Sequence, residues 1–360
     1  MGVTKKLVLK TSVYNPVATE LLQKVAHKPI LKALQQLGGA IRPHQAVAVA
    51  CSGGVDSAML ALHAALWARV QGITLHFFHV HHGLQQGAEG WVQQVHFLAQ
   101  LLGVPCHTFR VHVDLSQGDG LESAARTARY DAFAQLAAFT GVQHILLGHH
   151  WDDQAETVLL RLLRGAGPTG MGAMASSMQR DGLTFLRPLL TVPRSELIAV
   201  AKQFAALTQW QPVWDPTNLQ DVYTRGAVRE RLTPHLNERW QGWQRVLARH
   251  AQQSQETALL LDEIAADDLA QLDWADDGSF DLALWRQLKP ARQALVLRYW
   301  LAHNGLKMPT QARLNDMLKQ LRQLHQLGFD RQMRVKHGHV WVCCSKGRVF
   351  LQFVSSVENT

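Results

Sequence analysis

Cysteine is scarce in this chain of 360 residues: Cys51, Cys106, Cys343 and Cys344 are the only four, and they form no Cys-x-x-Cys pair. That spacing excludes a disulfide framework and a cysteine zinc site, and it fits a reducing, cytoplasmic compartment. Long apolar runs are missing as well. No window approaches 18 uncharged apolar residues, and Lys5, Lys6 and Lys10 are followed by neither an apolar core nor a cleavage signal. The expectation is therefore a chain with no membrane span and no export signal. What the sequence does have is a length that suggests two or three domains and 47% hydrophobic residues, enough to fill more than one core.

Acidic residues are outnumbered, 28 against 36 Lys and Arg, for a net charge of +8, and their distribution says more than the total. Between Arg225 and His250 stand six arginines against Glu230 and Glu238; between Glu256 and Asp281 stand nine acidic residues and no Lys or Arg. From Arg286 to Arg348 thirteen basic residues face only Asp316 and Asp330. Solvated helix faces are the plainer reading of such arginines. An excess of 13 to 2 points instead to a bound polyanion, and nucleic acid is the expected partner.

Up to about residue 165 short β-branched or aromatic runs (46–51, 73–80, 104–113, 144–148) alternate with helically spaced stretches (56–70, 88–102, 121–139, 152–164). This order predicts an α/β fold with a doubly wound parallel sheet whose ligands sit at the carboxyl ends of its strands. Residues 165–180, rich in Gly and Met, read as a loop beside the site. Beyond Pro216 the pattern turns helical, with Trp240 and Trp243 on the apolar side of one helix and another from Gln311 to Leu327. The segment from Arg334 to Phe353 alternates enough for two or three small strands. Domains are expected at 1–43 (an N-terminal extension), 44–224 (the catalytic α/β domain), 225–281 (a helical connector) and 282–360 (a small basic α+β module).

The most specific segment is Ser52-Gly53-Gly54-Val55-Asp56-Ser57, between the apolar run 46–51 and a helix-forming stretch. A buried strand that passes through two glycines into a helix surrounds one small space with backbone N–H groups, which suits phosphates. The lysine of a Walker A loop is absent, so this is a different phosphate loop, with Asp56 available for a cation and both serines for hydroxyl hydrogen bonds. An ordinary strand-to-helix turn is the bland alternative. Three further groups accompany it. Glu122, Arg126 and Arg129 share a helical face, so that Glu122 can orient Arg126, or all three can form a surface ion pair. Asp153 and Glu156 share a face at the start of a helix, where the dipole alone also favours acids. His79, His81 and His82 follow a strand without metal-closing spacing and read as nucleotide contacts or solvated side chains.

Ser52 to Ser57, His81-His82-Gly83-Leu84, Glu122 to Arg126 through Arg129-Tyr130, Gly148 to Thr157, Leu163-Arg164-Gly165, Arg187-Pro188-Leu189-Leu190 and Arg225 to Arg229 together resemble the tRNA(Ile)-lysidine synthetases, within the N-type ATP pyrophosphatases. The likeness covers residues 45–235 in order and, more weakly, Arg292–Leu301 and Pro309–Leu318 in the basic module. Gly226 stands where the family usually has asparagine, and the chain looks like a shorter variant. The resemblance implies a cytoplasmic ligase acting in tRNA modification. ATP adenylates the wobble cytidine of the isoleucine tRNA with a CAU anticodon, and free L-lysine then displaces AMP at carbon 2, turning codon reading from AUG to AUA. It further implies ATP bound by Ser52 to Ser57, Mg²⁺ on Asp56, phosphate charge met by Arg126 and Arg129, and lysine held by Asp153 and Glu156. Arg225 and Arg229 would contact tRNA or phosphate, and a homodimer is left open. A tRNA thiolase, a small-molecule ligase and a nucleotide sensor are the competing readings.

Overall fold

The computed structural model describes residues 7–9, 17–83, 87–113, 120–214, 224–324 and 332–353. Lys5, Lys6, Lys10, Leu84, Pro216, Asp330, Arg331 and the end of the helix expected to reach Leu327 lie outside the described residues. The chain forms two compact units, 1–255 and 256–360.

The first unit is built on a sheet of strands β1 (Leu7–Leu9), β2 (Ala46–Ala50), β3 (Thr74–His81), β4 (Cys106–Arg110), β5 (His144–Leu146), β6 (Ser177–Arg180) and β7 (Leu183–Leu186), in the order β1-β4-β3-β2-β5-β7-β6. The five central strands run parallel, as expected; the edges differ, because β1 pairs antiparallel with β4 and β6 with β7. Side chains alternate between two faces. Val47, Val49, Phe77 and Leu146 enter one core, and Ala48, Phe78, Ile145 and Phe185 enter the other.

Helices α1 (Thr19–Val25), α2 (Lys28–Gln35), α3 (Val55–Gln71), α4 (Ala88–Leu102), α5 (Leu121–Thr140) and α8 (Arg194–Thr208) contribute to these two cores, while α6 (Trp151–Leu163) and α7 (Pro168–Met171) meet in a smaller cluster at Val158 and Met171. The first core takes α3, which is buried continuously from Ser57 to Ala68, with residues of α1, α2, α4 and α8 around it; α5 contributes Tyr130, Phe133 and Leu136 to the second. The chain leaves β2 toward β3 and β4, then returns to place β5 on the other side of β2. The carboxyl ends of β2 and β5 therefore meet at the point where the winding reverses, the position where such sheets bind ligands.

Residues 165–180, expected as a loop, contain α7 and the edge strand β6. The β6–β7 turn is Asp181-Gly182, both at positive φ (51° and 75°), the geometry of a two-residue hairpin. Further on come α9 (Thr224–Ala227), a single π-helical turn at Val228–Leu232, α10 (Thr233–Arg239) and α11 (Trp243–Ala270). Trp240 and Trp243 do not share a helix: the chain turns at Gly242, leaving Trp240 60% exposed while Trp243 is buried at the start of α11.

The second unit pairs β8 (Phe280–Asp281), β9 (Met333–His337), β10 (Val340–Ser345) and β11 (Arg348–Phe353) as an antiparallel sheet in the order β8-β11-β10-β9. Helices α12 (Leu282–Gln287), α13 (Pro290–His303) and α14 (Gln311–Gln323) accompany it, and Phe280, Trp285 and Trp300 anchor the core. Part of the charge segregation is consumed internally. Arg292 pairs with buried Asp268 at 2.6 Å and Arg348 with Asp273 at 2.6 Å, while Arg286 donates to the carbonyls of Leu321 and Leu324. Arg334, Lys336 and Lys319 remain exposed.

Candidate functional site

At the end of β2 the Cys51 amide still bonds the Phe78 carbonyl, at 2.8 Å, and the chain then turns away through Ser52-Gly53-Gly54 into α3. Ser57 ties the turn together. Its Oγ accepts from the Ser52 amide (3.1 Å), donates to the Gly54 carbonyl (3.2 Å) and lies 3.0 Å from the Ser52 Oγ. Gly53 has φ +91°, and a Cβ there would stand 2.8 Å from Val213 Cγ2, whose backbone amide bonds the Gly53 carbonyl at 2.9 Å. Gly148, after β5, lets that segment approach the start of α3: a Cβ would lie 3.1 Å from the Ser57 backbone. Gly53→Ala is expected to cost about 1–3 kcal/mol of folding free energy through backbone strain. Chemical denaturation would register this as a lowered midpoint, and an unchanged midpoint would contradict it.

The loop forms one wall of a cavity of about 470 Å³. Ser52, Gly54, Asp56 and Ser57 line it on this side; Arg126, Arg129 and Tyr130 from α5, and His149 after β5, line it elsewhere. His79, His81 and His82 are also in the wall. His79 Nδ1 holds the Cys51 carbonyl at 2.9 Å, and burial lowers its pKa to about 4, so it is a neutral structural tie under the loop. Arg126 hydrogen-bonds the Tyr130 hydroxyl at 3.2 Å rather than pairing with Glu122 among the described residues.

Asp56, in the first turn of α3, is not isolated. Its Oδ1 accepts from Arg194 Nε at 3.3 Å and its Oδ2 lies 3.6 Å from His150 Nε2. Burial would raise its pKa, but the hydrogen bond from His150 and the charge of Arg194 outweigh that and bring it below the ordinary carboxylate value. His150 is fully enclosed; burial pushes its pKa down, yet Asp56, Asp153 and Asp152 overcome this and raise it. One carboxylate facing a cavity, with phosphate oxygens and water to complete the shell, is a donor set suited to Mg²⁺. Among the described residues no group of three or more His, Cys, Asp or Glu side chains could hold a metal by protein ligands alone.

His150 also caps α6. Its Nδ1 accepts the Asp153 amide (3.3 Å) while Asp153 Oδ2 accepts the His150 amide (3.1 Å), a reciprocal pair that locks the start of the helix. Asp153 and Glu156 are thereby held side by side, 8% and 6% exposed. Arg229, from the π-helical turn, closes on both. Its Nε and terminal nitrogen reach the two oxygens of Glu156 at 2.7 and 2.9 Å, and the terminal nitrogen reaches Asp153 Oδ1 at 3.2 Å. Arg225 donates to Thr157 Oγ1 at 3.3 Å, next to this group. The two arginines read from the sequence as tRNA or phosphate contacts thus stand at the carboxylates. His149, whose pKa burial lowers to about 4 against the pull of Asp153, is a neutral imidazole in the cavity wall.

Two residues of this site, Arg194 and His150, carry roles that the sequence patterns did not single out. His150 lay in the quoted His-His-x-Asp-Asp motif, whereas Arg194 lies 138 residues from Asp56 and only the fold joins them.

Residues 22–236 match the family model described as "PP-loop domain", and residues 280–350 match "TilS substrate binding domain". The glycine loop and its sheet are accordingly those of a PP-loop protein. Its relatives are more specific still. A tRNA(Ile)-lysidine synthase of Bordetella bronchiseptica is 51% identical over 337 residues, covering 93% of this chain and 97% of the relative. The one from Bordetella pertussis is 54% identical over 306 residues, covering 85% and 95%. The chain belongs to the tRNA(Ile)-lysidine synthase family, as its motifs led one to expect. Among solved structures, the U34-tRNA thiolase NcsA of Methanococcus maripaludis, with its [4Fe-4S] cluster, aligns with TM-score 0.53 at 18% identity over 66% of this chain and 80% of that one, a likeness of fold.

Proposed function

We propose that the chain ligates L-lysine to carbon 2 of the wobble cytidine in an isoleucine tRNA with a CAU anticodon, by way of an adenylated cytidine. The observation that supports this most is the meeting, at the carboxyl ends of β2 and β5, of a PP-loop with a buried Asp153–Glu156 pair. In this reading the loop Ser52 to Ser57 holds the triphosphate through the backbone N–H groups that the turn leaves open and through its hydroxyls, and Arg126 and Arg129 meet the remaining charge. Asp56 would hold Mg²⁺, which neutralises charge on the leaving pyrophosphate. Asp153 and Glu156 would hold the lysine α-ammonium, leaving the side-chain amine free to attack, and an arginine beside two acids suits the matching α-carboxylate. Arg225, with one hydrogen bond only among the described residues, keeps donors for an RNA phosphate. The cytidine must leave its stack to reach the cavity, so the rest of the tRNA needs its own basic surface.

The test is pyrophosphate release from ATP, expected with CAU-anticodon isoleucine tRNA and absent without RNA; release independent of RNA would favour a small-molecule ligase. A thiolase is less well supported by the cysteines. Cys51 and Cys106 are core residues whose pKa burial raises, Cys51 to about 12.

The basic surface has its own expected result. Lys336 shares the outward face of β9 with Arg334, and Lys319 is exposed on α14. Lys319→Glu together with Lys336→Glu should weaken tRNA binding and reduce the slope of log affinity against log salt by roughly two, about one per lost phosphate contact. ATP affinity should stay the same. Filter binding across a salt series measures both quantities, and an unaltered slope would leave these lysines as solvated surface.

A further inference from the structure

We propose that Arg194 is a phosphate-binding residue of the nucleotide site, parked on Asp56 until a triphosphate and its divalent cation take over that carboxylate. The inference rests on the nucleotide reading above and deepens it. Arg194 is the first residue of α8, and its backbone is fixed: its amide donates to Asp152 Oδ2 at 2.9 Å, while the Trp151 amide bonds the Val192 carbonyl at 3.1 Å. The starts of α6 and α8 are thus tied together, and the Arg194 side chain extends from that platform to the glycine loop.

Its contact with Asp56 is one-armed. Only Nε donates, at 3.3 Å, and the two terminal nitrogens have no hydrogen-bond partner among the described residues. Arg229 makes a two-armed contact in the same unit, with two nitrogens on Glu156 at 2.7 and 2.9 Å. Arg194 is also 42% exposed by side chain, against 24% for Arg229. Its open fork lies next to the carboxylate in the first turn of α3, where the loop amides and the helix dipole already favour an anion. A guanidinium fork matches phosphate oxygens better than it matches one carboxylate oxygen.

Charge supplies the exchange. Asp56 Oδ1 cannot serve a divalent cation and Arg194 Nε equally well, and His150 already faces Oδ2 at 3.6 Å. When the cation binds, Arg194 is released within a few ångströms of the phosphates that the cation brings. The arginine therefore compensates Asp56 in the empty site and the pyrophosphate in the filled one.

Calorimetric titration of the full chain, with Mg²⁺ present, tests this with ATP, inorganic pyrophosphate and AMP as three probes. Arg194→Gln is expected to weaken ATP and pyrophosphate roughly tenfold or more, the effect of one charge-assisted hydrogen bond, and to leave AMP within about twofold. Arg194→Lys should recover part of the loss by restoring charge without the fork. Unchanged affinity for ATP and pyrophosphate, or an equal loss for all three probes, would overturn the assignment. A wild-type chain that binds none of the three would instead overturn the nucleotide reading, and this inference with it.

Discussion

Asp56→Asn should lower tRNA-dependent pyrophosphate release by roughly a hundredfold or more, equivalent to about 3 kcal/mol of transition-state stabilisation. The substitution keeps the size of the side chain and removes its charge. It thereby removes the carboxylate that lines the cavity beside the glycine loop, and leaves Arg194 and His150 without their shared acid. Helix α3 should persist, since its buried run from Ser57 to Ala68 does not depend on that charge. The measurement is the initial rate at saturating ATP across a magnesium series, beside a thermal melt. Wild-type turnover at ordinary magnesium would remove Asp56 from the chemistry.

Glu156→Gln is expected to raise the lysine concentration needed for ligation by roughly tenfold to a hundredfold, or about 1.5–3 kcal/mol, with adenylation much less affected. Glu156 is 6% exposed and bonded at both oxygens to Arg229, so its charge is poorly screened and its geometry fixed. The amide retains one acceptor for Arg229 and loses the negative charge that an ammonium group requires. Some loss of melting temperature should accompany it, because a half-buried cation is left with a weaker partner. Lysine titration read beside pyrophosphate release separates the two steps. An unchanged lysine requirement with lost adenylation would assign Glu156 to the nucleotide.

What the sequence discloses here is whatever is local. The turn from β2 into α3 is legible because two glycines, two serines and an aspartate lie together between an apolar strand and a helix. The start of α6 is legible for the same reason. Contacts made by topology are not: Arg194 reaches Asp56, and Arg229 reaches Glu156, across 138 and 73 residues, and no periodicity carries such a distance. Strand β6 was obscured because Ser177–Arg180 is short, polar and on an edge, although the Asp181-Gly182 pair was a hairpin signal in plain view. Trp240 and Trp243 have spacing compatible with one helix, but the helix ends at Arg239, with Trp240 out of helical geometry and Gly242 at positive φ. Charge counting overstated the free basic surface, since Arg292 and Arg348 meet acids from the preceding acidic stretch.

The most direct measurement is transfer of isotopically labelled amino acid to isoleucine tRNA transcripts, followed by digestion and analysis of the wobble nucleoside. With ATP and Mg²⁺, label should appear at the wobble cytidine of the CAU transcript from lysine and from no other amino acid, with one AMP and one pyrophosphate formed per nucleoside. Label from a different amino acid, label elsewhere in the tRNA, or nucleotide consumption without any change at that cytidine would contradict lysine ligation as the activity of this chain.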